Sequence, residues 1–298
     1  MAATGSRHHA GMPLDTDTLQ GLSAWTNRQE TLHDQIAAAP LRGLNALLDL
    51  DAPEPAAGTP LPPLGHWLYF LPAHRQSEIG ADGHARRGGF LPPVPLPRRM
   101  WAGGRLQWLG APLAVGDVVR RTSTIASVQH KAGRSGELVF VLVRHDVHGP
   151  QGLALTEEHD IVYRSAAQPG DAAPATTAAP EDALWTQPIT PDPVLLFRYS
   201  ALTFNGHRIH YDQPYATQVE GYPGLIVHGP LMATLLAHLA CRQHPGRTLR
   251  RFDFRALKPV FDTAPFSVNG RPDGDGRAAL WVRDPMGDLA MQASAQFD

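Results

Sequence analysis

Cysteine is nearly absent. The 298-residue chain has one, Cys241, so an internal disulfide is excluded, and its apolar setting reads as a buried helix in a reducing cytosol. Long apolar runs are missing too. A membrane span needs roughly 18 consecutive apolar residues, and the best stretch, 225–241, is broken by His228, Gly229, Pro230 and His238. Neither sign of charge dominates. Lys and Arg (26) nearly balance Asp and Glu (28), and no basic run interleaved with aromatics could track a phosphate backbone. Residues 1–13 lack the apolar core of a signal peptide, and the run 6–11 before Met12 reads as a disordered leader. Together these absences argue against nucleic acid and membrane as partners and predict a soluble, cytoplasmic protein.

What is present is an ordinary globular mixture, 43% hydrophobic and 18% charged, long enough for one large domain or two smaller ones. The clearest boundary is 165–180, where Ala, Pro, Thr and Gly displace every large apolar side chain. The predicted organisation is a leader and N-terminal helix (1–39), a first unit (40–164), a linker (165–185) and a second unit (186–298). Helix-like patterns cover 17–39 and 41–50, with Pro40 at the first turn of the second. From Arg105 onward period-two runs follow at 115–128, 138–147 and 154–163. After the linker the order returns, with a helix at 230–242 and strands near 252–256, 266–271, 278–283 and 289–297. The strand-turn-strand segment 136–163 parallels 276–297. This repeat predicts an α+β double hot-dog, two units each with a central helix wrapped by a curved antiparallel sheet. Two unrelated α+β domains are the alternative.

Chemistry concentrates in the second unit. The segment 197–212 places Asn205, His207 and His210 after an apolar run that reads as a strand. An imidazole titrates near neutrality and can both remove and return a proton. His210 is therefore the principal acid/base candidate. Asn205 suits either a turn or substrate positioning, and His207 either a cleft rim or the site. In 221–232, Gly229 precedes Pro230 at the start of an apolar helix, where unbonded amides could hold an oxyanion. His207 and His210 are three apart, but no Cys or HExxH partner accompanies them, so no metal is expected. Arg86, Arg87, Arg98 and Arg99 flank a proline-rich run, and with Arg250, Arg251 and Lys258 they are candidates to meet phosphates. Trp67, Tyr69, Phe70, Trp101 and Trp108 suit either an acyl pocket or the core.

These motifs resemble the MaoC-like hydratases and dehydratases, especially the double hot-dog subgroup with mesaconyl- and itaconyl-CoA hydratases and 3-hydroxyacyl-thioester dehydratases. The resemblance covers roughly 45–298. The family motif sets an Asp five residues before a His, with an Asn two after the Asp. Here Asn205, His210 and His207 hold those places. The 158–164 segment, Glu-His-Asp-Ile-Val-Tyr-Arg, is also similar to the subgroup. The resemblance implies reversible hydration of an α,β-unsaturated acyl-CoA thioester, with a small branched dicarboxyl acyl group. His210 would be the base and Asn205 would position water and thioester, since an amide cannot accept a proton as a carboxylate does. His228 and Gly229 would form the oxyanion site. His207, Arg208 and Arg198 would contact substrate. Coenzyme A belongs to the substrate, no cofactor is implied, and a homodimer is expected. The first unit lacks the motif and would only shape the pocket. A 3-hydroxyacyl-thioester dehydratase of fatty-acid synthesis and a noncatalytic acyl-CoA-binding protein remain as alternatives.

Overall fold

A computed structural model describes residues 14–133, 136–165 and 176–298. The leader reading at 6–11 and most of the linker reading at 165–180 fall outside them. The strands form one ten-stranded sheet in the order β1-β3-β4-β5-β2-β7-β10-β9-β8-β6. The first set is β1 (Gln29–Gln35), β2 (Arg98–Trp108), β3 (Val118–Gly133), β4 (Gly136–Gly149) and β5 (Gly152–Arg164). The second is β6 (Trp185–Ile189), β7 (Leu249–Ala256), β8 (Phe266–Pro272), β9 (Arg277–Arg283) and β10 (Leu289–Phe297). Read outward from the centre, the two sets repeat one order, so β4–β5 and β9–β10 are equivalent hairpins.

The sets meet where β2 pairs antiparallel with β7, Gly103 opposite Arg255 and Gly104 opposite Phe254. A β-carbon at Gly103 would lie 2.6 Å from the Phe254 carbonyl oxygen, and one at Gly104 2.9 Å from that of Glu158. Glycine is needed at both positions because backbone passes where a side chain would stand. A bulge between Trp101 and Gly103 interrupts the alternation there. It hides the first half of β2 from a period-two reading, which is why the strand begins at Arg98 and not at Arg105.

Helices α1 (Thr16–Ser23), α2 (Ala38–Leu47), α3 (Pro193–Leu202) and α4 (Gly229–Gln243) complete the fold. The expected helix over 17–39 is corrected. It stops at Ser23, Asn27 turns the chain with φ 66°, and the polar segment 29–35 becomes an edge strand on β3. Pairing with β3 overrides its low strand propensity. The apolar run before the histidine motif is also not a strand. It is α3, begun by Asp192, whose carboxylate accepts the Leu195 amide at 2.7 Å, and by Pro193.

Among the described residues, only the second set carries the expected central helix. α4 lies against β7, β8, β9 and β10, with Leu231, Leu236 and Ala240 wholly buried. α2 packs on α3 and adds Leu41 and Leu44 to an apolar cluster of the first set, without lying along its sheet as α4 does. In place of a central helix, irregular segments cover the first set. Leu68, Tyr69 and Phe70 join one apolar cluster, and Val94 and Leu96 another. Tyr69 and Phe70 are thus core residues.

Between these clusters runs a buried polar row, Ser123 opposite His145 opposite Glu157. Ser123 Oγ lies 2.8 Å from His145 Nδ1, and His145 Nε2 lies 3.3 Å from His159 Nδ1. His159 Nε2 donates to Glu157 (2.6 Å), which also accepts from His66 and Trp67 at 2.8 Å. Burial by itself would raise the Glu157 pKa, yet His159 and His66 hold it well below the ordinary carboxylate range. Removing a partner from a buried charged cluster costs about 3–5 kcal/mol. Glu157→Ala should therefore destabilise the protein by that amount in urea unfolding, whereas a loss below about 1 kcal/mol would mean the row is dispensable.

Candidate active site

The site begins at the end of α3. Phe204 adopts a left-handed conformation (φ 49°), its amide donates to Ala201 O (3.3 Å), and the Asn205 amide donates to Ser200 O (2.8 Å). This double closure normally recruits glycine at the left-handed position, and a larger residue there costs about 1–2 kcal/mol. The strain sits directly before the polar motif. Asn205 Oδ1 then accepts the His207 amide at 3.0 Å, turning the chain into a 3-10 turn at Arg208–His210. The Asn205 carbonyl is thereby engaged in the turn, and its amide hydrogens are the groups left to face a ligand.

His210 is buried, and its Nδ1 lies 2.7 Å from the Ile226 carbonyl oxygen. A carbonyl only accepts, so Nδ1 carries the proton and Nε2 keeps a free lone pair. The ring stacks on His228 at 3.7 Å with planes 18° apart. His228 Nε2 is 2.8 Å from Ser200 Oγ, while its Nδ1 is buried without a partner among the described residues. Burial pulls His210 down to about 4, against the favourable bond to Ile226, and burial likewise holds His228 well below its ordinary value.

His228 is also the residue that precedes α4. The first-turn amides of a helix have no intrahelical acceptors, and Pro230 has no amide, so Gly229 and Leu231 offer the free donors. A β-carbon at Gly229 would meet nothing within 4 Å, so open space lies over this helix start. The positive end of α4, with the Gly229 amide, thus begins one residue beyond His228, whose ring stacks on that of His210.

The first strand set also reaches this site, through residues the sequence did not single out. Gly83 (φ 90°) packs so tightly on the motif that a β-carbon would lie 1.8 Å from Gly206 O. His84 sits 3.9 Å from the His207 ring, which is 5.5 Å from His210. Burial, aided by the His84 charge, lowers His207 to about 2. Asp82, His84 and His207 bring ligand-type atoms within 4.8 Å of one another. Asp82 and His84 already satisfy each other at 3.1 Å, with a second Asp82 oxygen on the His84 amide. No short-range sequence pattern marks His84 for the site, since the ring it meets there, His207, lies more than a hundred residues away.

The expected substrate arginines are placed differently. Arg208 donates twice to Asp212 (2.9 and 2.8 Å) and once to Ala81 O, and it lies over Tyr215. Its charge is already neutralised, which argues against a role in binding substrate. Arg198 is exposed on α3. Of the suggested phosphate ligands, Arg250 pairs with Asp298, Arg251 with Asp253, and Lys258 with Asp284 and Asp288.

Residues 64–262 match the family model described as hydroxyacyl-thioester dehydratase type 2. The chain belongs to this family of MaoC-like hydratases and dehydratases. It is 48% identical over 278 residues to a mesaconyl-C(4)-CoA hydratase of Chloroflexus aurantiacus, covering 92% of this chain and 97% of the relative. It is 28% identical to a mitochondrial hydroxyacyl-thioester dehydratase type 2 of Schizosaccharomyces pombe, covering 84% and 91%. A MaoC-like dehydratase from Phytophthora capsici shares the fold at a TM-score of 0.66 with 14% identity, over 94% of this chain and 98% of that one. A Mycobacterium tuberculosis protein described as having a double hotdog fold aligns at 0.53 with 13% identity, over 92% and 96%. The MaoC-like chain is thus a double hot-dog hydro-lyase, and no helix among its described residues is long and apolar enough to cross a membrane.

The buried imidazoles give the fold an acid-side signature. His210 titrates at 6.5 when unfolded and near 4 when folded, so the unfolded state binds the extra proton between those values. Its contribution is complete above pH 6.5 and is lost as pH falls toward 4. His210→Gln should reduce the slope of unfolding free energy against pH in that window by about 1.4 kcal/mol per pH unit. An unchanged slope in urea titrations would show that His210 protonates freely in the folded protein.

Proposed function

We propose that the protein adds water reversibly across the double bond of an α,β-unsaturated acyl-CoA thioester, with a small branched dicarboxyl acyl group such as that of mesaconyl-C4-CoA or itaconyl-CoA. The observation that carries this reading is the tautomer of His210. Its Nδ1 is committed to Ile226 O, so Nε2 is left as a base on a ring stacked against His228, the residue before the free Gly229 amide at the start of α4. The identity with the Chloroflexus hydratase supports the choice of acyl group.

In the proposed reaction His210 Nε2 takes a proton from water as the water oxygen bonds to the β-carbon. The electron pair of the double bond moves onto the thioester oxygen, which the Gly229 amide and the α4 terminus stabilise. The imidazolium then returns its proton to the α-carbon, so one water is added and the base is regenerated. A base buried at about pKa 4 is weak in the empty site. Negative charge developing on the thioester oxygen raises it during the step, because a nearby opposite charge favours the protonated imidazole. Asn205 donates to water or thioester and accepts no proton. The step balances without a metal or redox group.

The family model and the fission-yeast relative favour a second reading, the reverse elimination from a linear 3-hydroxyacyl thioester. The two separate in an assay of absorbance loss at the enoyl-thioester band with mesaconyl-C4-CoA, itaconyl-CoA, crotonyl-CoA and a longer enoyl-CoA. Preference for a branched diacid is expected, and preference for linear chains would select the second reading. His210→Ala should lower kcat by about 10²–10⁴-fold while leaving far-UV circular dichroism unchanged, the usual contribution of one general base. A fully active variant would remove His210 from the chemistry.

A further inference from the structure

A substrate with a free carboxylate needs a cation near the reacting carbons, and the two arginines nearest the motif in sequence do not supply it. Arg208 is neutralised by Asp212, and Arg198 lies exposed on α3. The first strand set offers another source. Arg99 on β2 is directly opposite Tyr163 on β5, so its side chain leaves the sheet on the same face as the buried Tyr163 ring. Arg87 reaches the same ring from the proline-rich segment. Its guanidinium carbon is 5.8 Å from the Tyr163 centroid, and it is braced by the carbonyls of Val94 and Pro97.

Two guanidinium groups therefore converge on one phenol. Arg105, Arg208, Arg251 and Arg271 each face a carboxylate, but neither Arg87 nor Arg99 has an ion-pair partner among the described residues. The charge of Asp82 reaches Arg87 without forming an ion pair, so the two like charges lack a carboxylate in contact, a costly arrangement that a ligand anion would relieve. The pair is also near the chemistry. The charge of Arg99 reaches both Arg87 and His207, and His207 is the ring beside His210. His84, whose ring lies 3.9 Å from that of His207, is only three residues before Arg87 in the same segment.

We infer that Arg99, supported by Arg87 and Tyr163, forms an oxyanion subsite in the first strand set that takes the free carboxylate of the acyl group. This rests on the hydratase reading above and deepens it. The guanidinium fork matches a carboxylate with two parallel donors, whereas an ammonium presents a point charge. A coenzyme A phosphate has the same chemistry, but the charge of Arg99 reaches His207, whose ring is 5.5 Å from that of His210, so the acyl group is the nearer source.

The test uses the full-length protein, wild type and with Arg99→Met and Arg99→Lys, on mesaconyl-C4-CoA and crotonyl-CoA. Arg99→Met should lower the ratio of kcat/KM for the diacid over the monoacid by about 30- to 100-fold, and Arg99→Lys should recover part of it. An equal loss on both substrates would assign the arginine to a phosphate of the carrier and overturn the inference. An unchanged ratio with no loss would overturn it as well. If the wild type turns over neither thioester, the hydratase reading fails independently, and calorimetric binding of the same two thioesters still decides the subsite. Selective loss of mesaconyl-C4-CoA affinity in Arg99→Met would sustain it, and equal affinities would end it. Unchanged circular dichroism of Arg99→Lys guards against misfolding.

Discussion

The antiparallel contact between β2 and β7 is the constraint on which everything else depends. It fuses two five-stranded sets into one sheet and fixes how the loops of one set lie over the helix of the other. The contact is narrow and backbone-dominated, with Gly103 and Gly104 allowing the chains to approach. Any side chain there would push apart the surfaces that meet between the Asp82–His84 segment and the histidine motif.

That join permits an unequal division of labour. One set keeps a central helix whose N-terminus contributes an electrostatic field, free amides and open space over Gly229. The other gives up its helix and fills the face of its sheet with irregular chain and with the row from Ser123 to Glu157. Such a row is a poor stabiliser compared with an apolar core, since desolvation opposes each of its charges. Its saturated hydrogen bonds fix the orientation of Trp67 and of His159, and His159 lies 4.1 Å from Trp101. Irregular chain also allows Arg87, His84 and Asp82 to come from one short segment, where a regular helix would have turned Asp82 away from His84 and Arg87.

Much of this was legible in the sequence. The alternation of β3–β5 and β7–β10 and the apolar length of α4 revealed the repeat, because half-buried strands and a buried helix impose their periods strongly. His210, Asn205 and His207 lie within six residues, and Gly229 beside Pro230 marks a helix start, so this part of the site was visible locally. What escaped notice depended on distant partners. β1 is polar because it is an edge, and only its pairing with β3 makes it a strand. α3 is too short and too evenly apolar for its period to separate helix from strand. His84 sits in a segment whose neighbours are set by the join, not by nearby residues; Arg208 differs, since its partner Asp212 is only four residues on and the 3-10 turn between them makes the pair.

The Arg208 side chain reaches Ala81 O across 127 residues of chain. Contacts of such span carry a large loop-closure cost that must be met before they reward the fold, so they form late and slowly. During synthesis the first strand set emerges with β2 still lacking its neighbour β7, and the Asp82–His84 segment has nothing to rest against until Gly206 follows. The nascent chain thus presents an open sheet edge for the time needed to make the second set. This interval, more than any property of the finished molecule, is when the protein is most exposed to mispairing with another copy of itself.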